Sequence, residues 1–199
     1  MCLDSCATAI VTSGRSRGVL VFSGLQMNYS KLRLASSWQA DNVLSQACLP
    51  SDFRPWMIDQ GSLTAALTEH SGGNFQVNVL DQRLAVPLWH EQRKLHRPLT
   101  RAALIRKVEL LIHGEAVVYA RSIIPLALAL NGRKGLAKLG GTPLGHLLFK
   151  RGNIRISKRQ FAQFEFDDVM IAARRTPYDY QGSRILVTEL FLPALLNYL

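Results

Sequence analysis

The chain has 199 residues, 48% hydrophobic and 19% charged, a composition that suits one globular domain with a sizeable core and excludes a disordered or fibrous protein. Its net charge of +10 is uneven, with five basic against five acidic residues in 1–80, sixteen against four in 81–160 and three against five in 161–199. The basic block could serve nucleic acid, a membrane surface or a small anion, or be a solvated surface.

No apolar stretch reaches the roughly 18 to 20 uncharged residues of a membrane span. The nearest, "ATAIVTSGRSRGVLVFSGL", is interrupted by Arg15 and Arg17 and lacks a signal-peptide layout. Cys2, Cys6 and Cys48 are too few and too clustered to staple a secreted domain, so a reducing, cytoplasmic setting is expected.

Residues 1–40 are weakly patterned and are expected to be a weakly ordered N-terminal extension, with Met27 as an alternative start; residues 41–199 form the single domain. In "DQGSLTAALTEH", Ser62 is an N-cap for a helix opening at about Leu63. "FQVNVLDQ" alternates as a half-buried strand, and a polar, proline-containing connection is expected from there to residue 100. Two β-rich runs in "LIRKVELLIHGEAVVYARSIIP" flank His113-Gly114, a turn signal, so the segment predicts a hairpin. With an even-numbered loop centred there, opposed residue numbers sum to 227 and Arg106 faces Arg121. Two like charges so placed call for an anion between or above them.

"GLAKLGGTPLGHLLFK" is glycine-rich, but it lacks the ending of a P-loop and the spacing of a dinucleotide fingerprint, so it reads as a tight turn before a short segment. "RISKRQFAQFEFDD" is a mixed stretch, "RTPYDYQGS" a loop, and "ILVTELFLP" a strand. On that strand Val187, Glu189 and Phe191 share one face and Leu186, Thr188, Leu190 and Leu192 the other. Both faces are mostly apolar, so Glu189 is either an exposed strand residue or a functional carboxylate. The five histidines show no metal-ligand spacing, there is no Gly-x-Ser-x-Gly elbow, and zinc-finger and RNA-binding aromatic motifs are missing. Any chemistry is expected to be free of metal and cofactor.

Taken in order, "DQGSLTAAL", "IRKVELLIHGEAVVYARSIIP", "LGGTPLGHLLF" and "ILVTELFLP" resemble the successive motifs of the chorismate pyruvate-lyase family over roughly residues 56–199. The resemblance implies an α+β fold, an antiparallel β-sheet with helices packed on it and helical flaps enclosing an internal ligand site. It also implies conversion of chorismate to 4-hydroxybenzoate and pyruvate, the first step of ubiquinone biosynthesis. Carried over by position, the substrate-binding residues are Leu63, Arg106, Leu144 and Glu189, with Arg121 added from the hairpin register. Arg106 and Glu189 are the catalytic candidates, and Leu63 and Leu144 would act through backbone groups. Two departures stand out: Lys107 follows Arg106 where the family commonly has an acid, with Glu109 two positions later, and residues 1–40 have no recognised counterpart.

The chemistry suits these residues. Chorismate carries two carboxylates, for which guanidinium groups are bidentate partners. The expected partner is therefore this small molecule, with no nucleic acid and no membrane span, and the chain is expected to act as a monomer. The alternative is a non-catalytic small-carboxylate-binding sensor domain of the same fold, although residues 1–55 are too short and poorly patterned for a helix-turn-helix module. A nucleic-acid binder would need stacking aromatics along the basic block, where only Trp89 lies close to Arg93, Lys94 and Arg97.

Overall fold

The computed structural model describes residues 28–42, 46, 49–96, 101–130, 136–151 and 154–198. The three cysteines and Met27 lie outside them. Nine strands form one antiparallel sheet. They are β1 (Arg33–Leu34), β2 (Gln39–Ala40), β3 (Phe75–Ala85), β4 (Ala103–Ile112), β5 (Glu115–Pro125), β6 (Ile154–Ile156), β7 (Gln160–Phe166), β8 (Val169–Tyr180) and β9 (Ser183–Phe191). The order is β1-β7-β8-β9-β5-β4-β3, with β2 also on β7 and β6 on β8. Among the described residues these α-helices accompany the sheet: α1 (Arg54–Ile58), α2 (Leu63–His70), α3 (Trp89–Leu95), α4 (Leu126–Ala129) and α5 (Leu144–Arg151). This is the expected α+β architecture.

β9 lies between β5 and β8 at the middle of the sheet, which is why its sequence is apolar on both faces. On the inner face, Phe53 at the N-cap of α1, Trp56 and Met57 within it, and Leu63 and Leu67 from α2 pack on Val108, Leu110, Val118 and Phe191. Full burial of a side chain of this size stabilises the fold by about 1.5–3 kcal/mol. A second inner cluster joins Leu128 of α4 and Leu144 and Leu148 of α5 to Leu104, Ile124, Tyr178 and Ile185. The outer face is covered at one end by α3, whose Leu95 meets Ile105, Ile123 and Leu186. At the other end Tyr29, Leu32 and Trp38 pack against Tyr119, Ile171 and Leu190.

The hairpin turn falls at His113-Gly114 as expected, and of the even-numbered loops it is the two-residue one. His113 (φ 49°) and Gly114 (φ 83°) both occupy the left-handed region, as a type I′ turn requires. Next to the turn Ile112 opposes Glu115 and Leu111 opposes Ala116, pairs that keep the expected sum. A β-bulge then intervenes: Leu110 opposes Val118, and Val117 is the extra residue, its carbonyl accepting from Leu192 N–H at 3.0 Å. Beyond the bulge Arg106 opposes Ser122 and Arg121 opposes Lys107. The expected Arg106–Arg121 pairing is therefore corrected. One inserted residue turns Arg121 to the other face of the sheet.

Three further readings change. Residues 28–40, placed in a weakly ordered extension, contribute β1 and β2 to the sheet, and Tyr29 donates to Glu109 Oε1 at 2.7 Å while stacking on Tyr119. Trp89–Leu95, read as a connection, is helical; Leu88 at its N-cap offers no side-chain oxygen, and only Glu91 Oε2, accepting from Leu88 N–H at 2.8 Å, caps it. "RTPYDYQGS", expected as a loop, is largely strand, because β8 runs through to Tyr180. Pro177 is tolerated there because it falls between the stretches paired with β7, ending at Arg175, and with β6, beginning at Tyr178.

Candidate functional site

The alternation of strands brings three charged residues, Arg106, Arg174 and Glu189, onto the inner face between the two apolar clusters. One cross-strand row reads Arg106, Ser122, Val187, Thr176, and the next reads Val108, Ala120, Glu189, Arg174. Arg106, Ser122, Val187 and Glu189 line a pocket roofed by Leu63 and Thr64 of α2 and by Pro143, Leu144 and Gly145 at the start of α5. A β-carbon on Gly145 would lie 3.4 Å from Thr64 Oγ1, so the two helices meet closely over the pocket.

The local sequence explains the roof. Ser62 Oγ accepts from Ala65 N–H at 3.3 Å and starts α2 where expected. Gly140, with φ 50°, makes the turn that leads through Thr142 and Pro143 into α5, which bears out a turn rather than a phosphate cradle. Leu63 and Leu144 are the first residues of their helices, and first-turn amides have no intrahelical acceptor. Backbone N–H groups at the two helix starts are thus available at the pocket rim.

Arg106 is 2% exposed and has no carboxylate among its hydrogen-bond partners in the described residues. It donates to Gln82 Oε1 at 2.9 Å, Gly140 O at 2.7 Å and Thr142 O at 3.3 Å. Burial alone pulls its guanidinium below the ordinary arginine range. A desolvated cation held by neutral oxygens at a pocket wall is a site for an anionic group.

Glu189 is buried, and its Oε2 accepts from Arg174 Nε at 2.6 Å. Arg174 is 1% exposed and also donates through Nη1 to Trp56 O at 2.6 Å, Met57 O at 3.2 Å and Asp59 O at 3.3 Å. Burial lowers its proton affinity, but the charge and hydrogen bond of Glu189 outweigh this and leave Arg174 above the ordinary range. Tyr178, also lining the pocket, is pushed up to about 12 by burial and then by the charge of Glu189, so its hydroxyl stays protonated at neutral pH.

The structure therefore brings Leu63, Arg106, Leu144 and Glu189 to one pocket and leaves Arg121 out. Arg121 lies on the outer face, donating from Nε to Glu91 Oε1 at 2.7 Å and from Nη2 to Glu91 Oε2 at 3.0 Å. Lys107 and Glu109 are on that face too, as the alternation required. Lys107 Nζ lies 3.7 Å from Asp81, and Glu109 accepts from Tyr29 and Asn78. The missed residues are Arg174, Ser122 and Tyr178. The signal for Arg174 was the one that raised Glu189: a charge following the apolar run Ile171-Ala172-Ala173. Among the described residues no group of three or more His, Cys, Asp or Glu side chains could hold a metal ion.

Fold and site together define an α+β protein whose central sheet and two helix starts surround a pocket lined by Arg106 and Glu189. The family model described as chorismate lyase matches residues 15–198, and the chain belongs to this family. The match begins well inside the segment that had no recognised counterpart. Among relatives, the protein named "Probable chorismate pyruvate-lyase" from Aromatoleum aromaticum is 35% identical over 167 residues, covering 75% of this chain and 89% of its own length. One of the same name from Alcanivorax borkumensis is 34% identical, covering 76% of this chain and 74% of its own. Among solved structures, a GntR-family transcriptional regulator from Bacillus cereus is similar at a TM-score of 0.47 and 9% identity, over 61% of this chain and 93% of that one, too slight to bear on function.

Proposed function

We propose that the protein cleaves chorismate to 4-hydroxybenzoate and pyruvate, without a cofactor, as a cytoplasmic monomer supplying the first step of ubiquinone biosynthesis. One observation carries the reading: a buried cation lacking an acid and a buried carboxylate occupy two places in one otherwise mostly apolar pocket. They stand two strands apart and one row offset, which puts their Cα atoms about 10–12 Å from each other by ordinary strand spacing. Side chains reaching inward from such positions suit a six-membered ring with a carboxylate at one end and a hydroxyl at the other.

In this arrangement Arg106 takes the ring carboxylate, and Glu189 Oε1, unpartnered among the described residues, accepts from the ring hydroxyl. The ether bond between ring carbon and enolpyruvyl oxygen breaks, and the hydrogen on the hydroxyl-bearing carbon leaves as the ring becomes aromatic. The departing enolpyruvyl group gains a proton and is released as pyruvate. No electron acceptor and no water are consumed. Aromatisation supplies the driving force, so the protein's task is to hold the reactive conformer and stabilise developing charge in a water-excluded pocket.

Purified protein incubated with chorismate should yield equimolar 4-hydroxybenzoate and pyruvate, with the same rate in the presence of a chelator. Chorismate binding without turnover would replace this reading with a sensor. Chelator-sensitive turnover would replace its mechanism with a metal-assisted one.

A further inference from the structure

Arg174 does not line the pocket, yet it touches both the pocket carboxylate and the segment leading to the pocket roof. Its Nε fixes Glu189 Oε2, while its Nη1 reaches the carbonyls of Trp56, Met57 and Asp59. Buried Arg159 takes the carbonyl between them, donating from Nη1 to Ile58 O at 2.9 Å. Four successive carbonyls, residues 56–59, thus accept from two guanidinium groups at the end of α1, where helical carbonyls lack intrahelical donors. Four residues beyond Asp59 stands Leu63, at the start of α2 and in the pocket roof.

The charges in this cluster depend on one another. Burial and then the neighbouring Arg174 pull Arg159 below the ordinary arginine range, while Glu189 acts against the loss of charge on both cations, helped by Asp59 at Arg174 and by Asp41 at Arg159. Without the carboxylate, Arg174 would keep only backbone carbonyls as hydrogen-bond acceptors among the described residues. Without Arg174, a buried carboxylate would lose its counter-ion and its fixed orientation.

We propose that Arg174 is a positioning residue that couples Glu189 to the pocket roof: the hydrogen bond that aims the carboxylate also clasps residues 56–59 and so sets the position of α2. The coupling is reciprocal, as any linkage must be. Disturbing Glu189 loosens the roof, and loosening the roof misaligns Glu189. The assignment of a catalytic part to Glu189 rests on the proposed lyase reaction; the mechanical coupling does not.

The test compares Arg174→Gln, Arg174→Lys and Glu189→Gln by steady-state kinetics on chorismate and by amide hydrogen exchange across the chain. Arg174→Gln should lower kcat by about 100-fold, the scale of an ångström-sized misplacement, with KM changed by less than about threefold because Arg106 is intact. Arg174→Lys should recover part of kcat, since an ammonium can meet Glu189 or the carbonyls but not all of them. Exchange in residues 57–66 should quicken about tenfold in both Arg174→Gln and Glu189→Gln, while β4 and β5 keep their protection. Unchanged kcat in Arg174→Gln, or quickened exchange there but not in Glu189→Gln, overturns the coupling. If the unmodified protein has no lyase activity, the proposed function fails, and the exchange comparison of the same variants still decides the coupling.

Discussion

The two faces of the sheet treat arginine differently. Arg106 on the inner face and Arg121 on the outer face come from the two arms of one hairpin, and both are largely buried. Arg121 is matched by two oxygens of Glu91 from α3. Among the described residues Arg106 has only neutral acceptors, two of them backbone carbonyls of the turn before α5. The first arrangement is complete within the protein and holds α3 on the sheet. The second leaves a positive charge for something else to neutralise, and it is the one that faces the pocket. The two arginines are thus both largely buried and differ in whether an acid stands against them.

Replacing the two arginines in turn should break this comparison most directly. Arg106→Met should weaken 4-hydroxybenzoate binding by roughly 2–5 kcal/mol, the cost of leaving a buried charged partner unpaired, while stability moves by no more than about 1 kcal/mol. Calorimetric titration and urea unfolding of the same preparation would read both. Arg106→Lys should restore part of the affinity, because an ammonium cannot reproduce the planar fork. Comparable losses in affinity and stability would show that Arg106 is structural after all.

Arg121→Met should do the reverse. It strands Glu91, whose side chain is 3% exposed, and should cost about 2–3 kcal/mol of stability. That lies below the value for a fully enclosed pair because Arg121 keeps some contact with solvent. Product affinity should remain within about twofold. A large loss of affinity without loss of stability would return Arg121 to the site.

Removing residues 1–40 sharpens the outer-face half of the comparison. It takes away β1, β2 and the Tyr29 hydroxyl on Glu109, and uncovers Ile171 and Leu190. A loss of about 2 kcal/mol corresponds to a fall of roughly 4–8 °C in Tm for a domain of this size. A chain beginning at Met27 is expected to keep its Tm. Equal melting of both truncations would mean that the N-terminal strands add nothing to the sheet.

The smallest effect is confined to alkaline pH. Burial first, with Arg121 pulling the other way, leaves Tyr119 pushed up to about 12, and Tyr178 reaches about 12 through burial and then Glu189. Both stand above the ordinary tyrosine value of about 10. Their contribution to stability is whole below about pH 10 and is lost as pH rises through about 12. Tyr119→Phe should leave stability at pH 7 unchanged and flatten its decline between those values. Urea midpoints measured across the range would show it; an unaltered decline would remove Tyr119 from the account.

Local chemistry made much of this molecule legible. The Ser62 cap, the His113-Gly114 turn, the period of two in β3 and the odd carboxylate in β9 are each set by residues within a few positions of one another. Four ordered motifs then pointed to the family and to Leu63, Arg106, Leu144 and Glu189. The partners of those residues were not legible, because they are brought together by pairings far apart in the chain. Arg174 reaches Glu189 across a strand pair and Trp56 across 118 positions. The side on which Arg121 points was decided by one bulged residue, Val117, which local sequence does not announce because both registers keep apolar residues on both faces of a central hairpin. The N-terminal strands were equally hidden: β1 and β2 are two residues each and owe their existence to the free edge of β7. Sequence determined the turns, the caps and the identity of the pocket's charges. Tertiary structure decided which of those charges meet an acid and which meet neutral oxygens, since that depends on distances only the folded sheet sets.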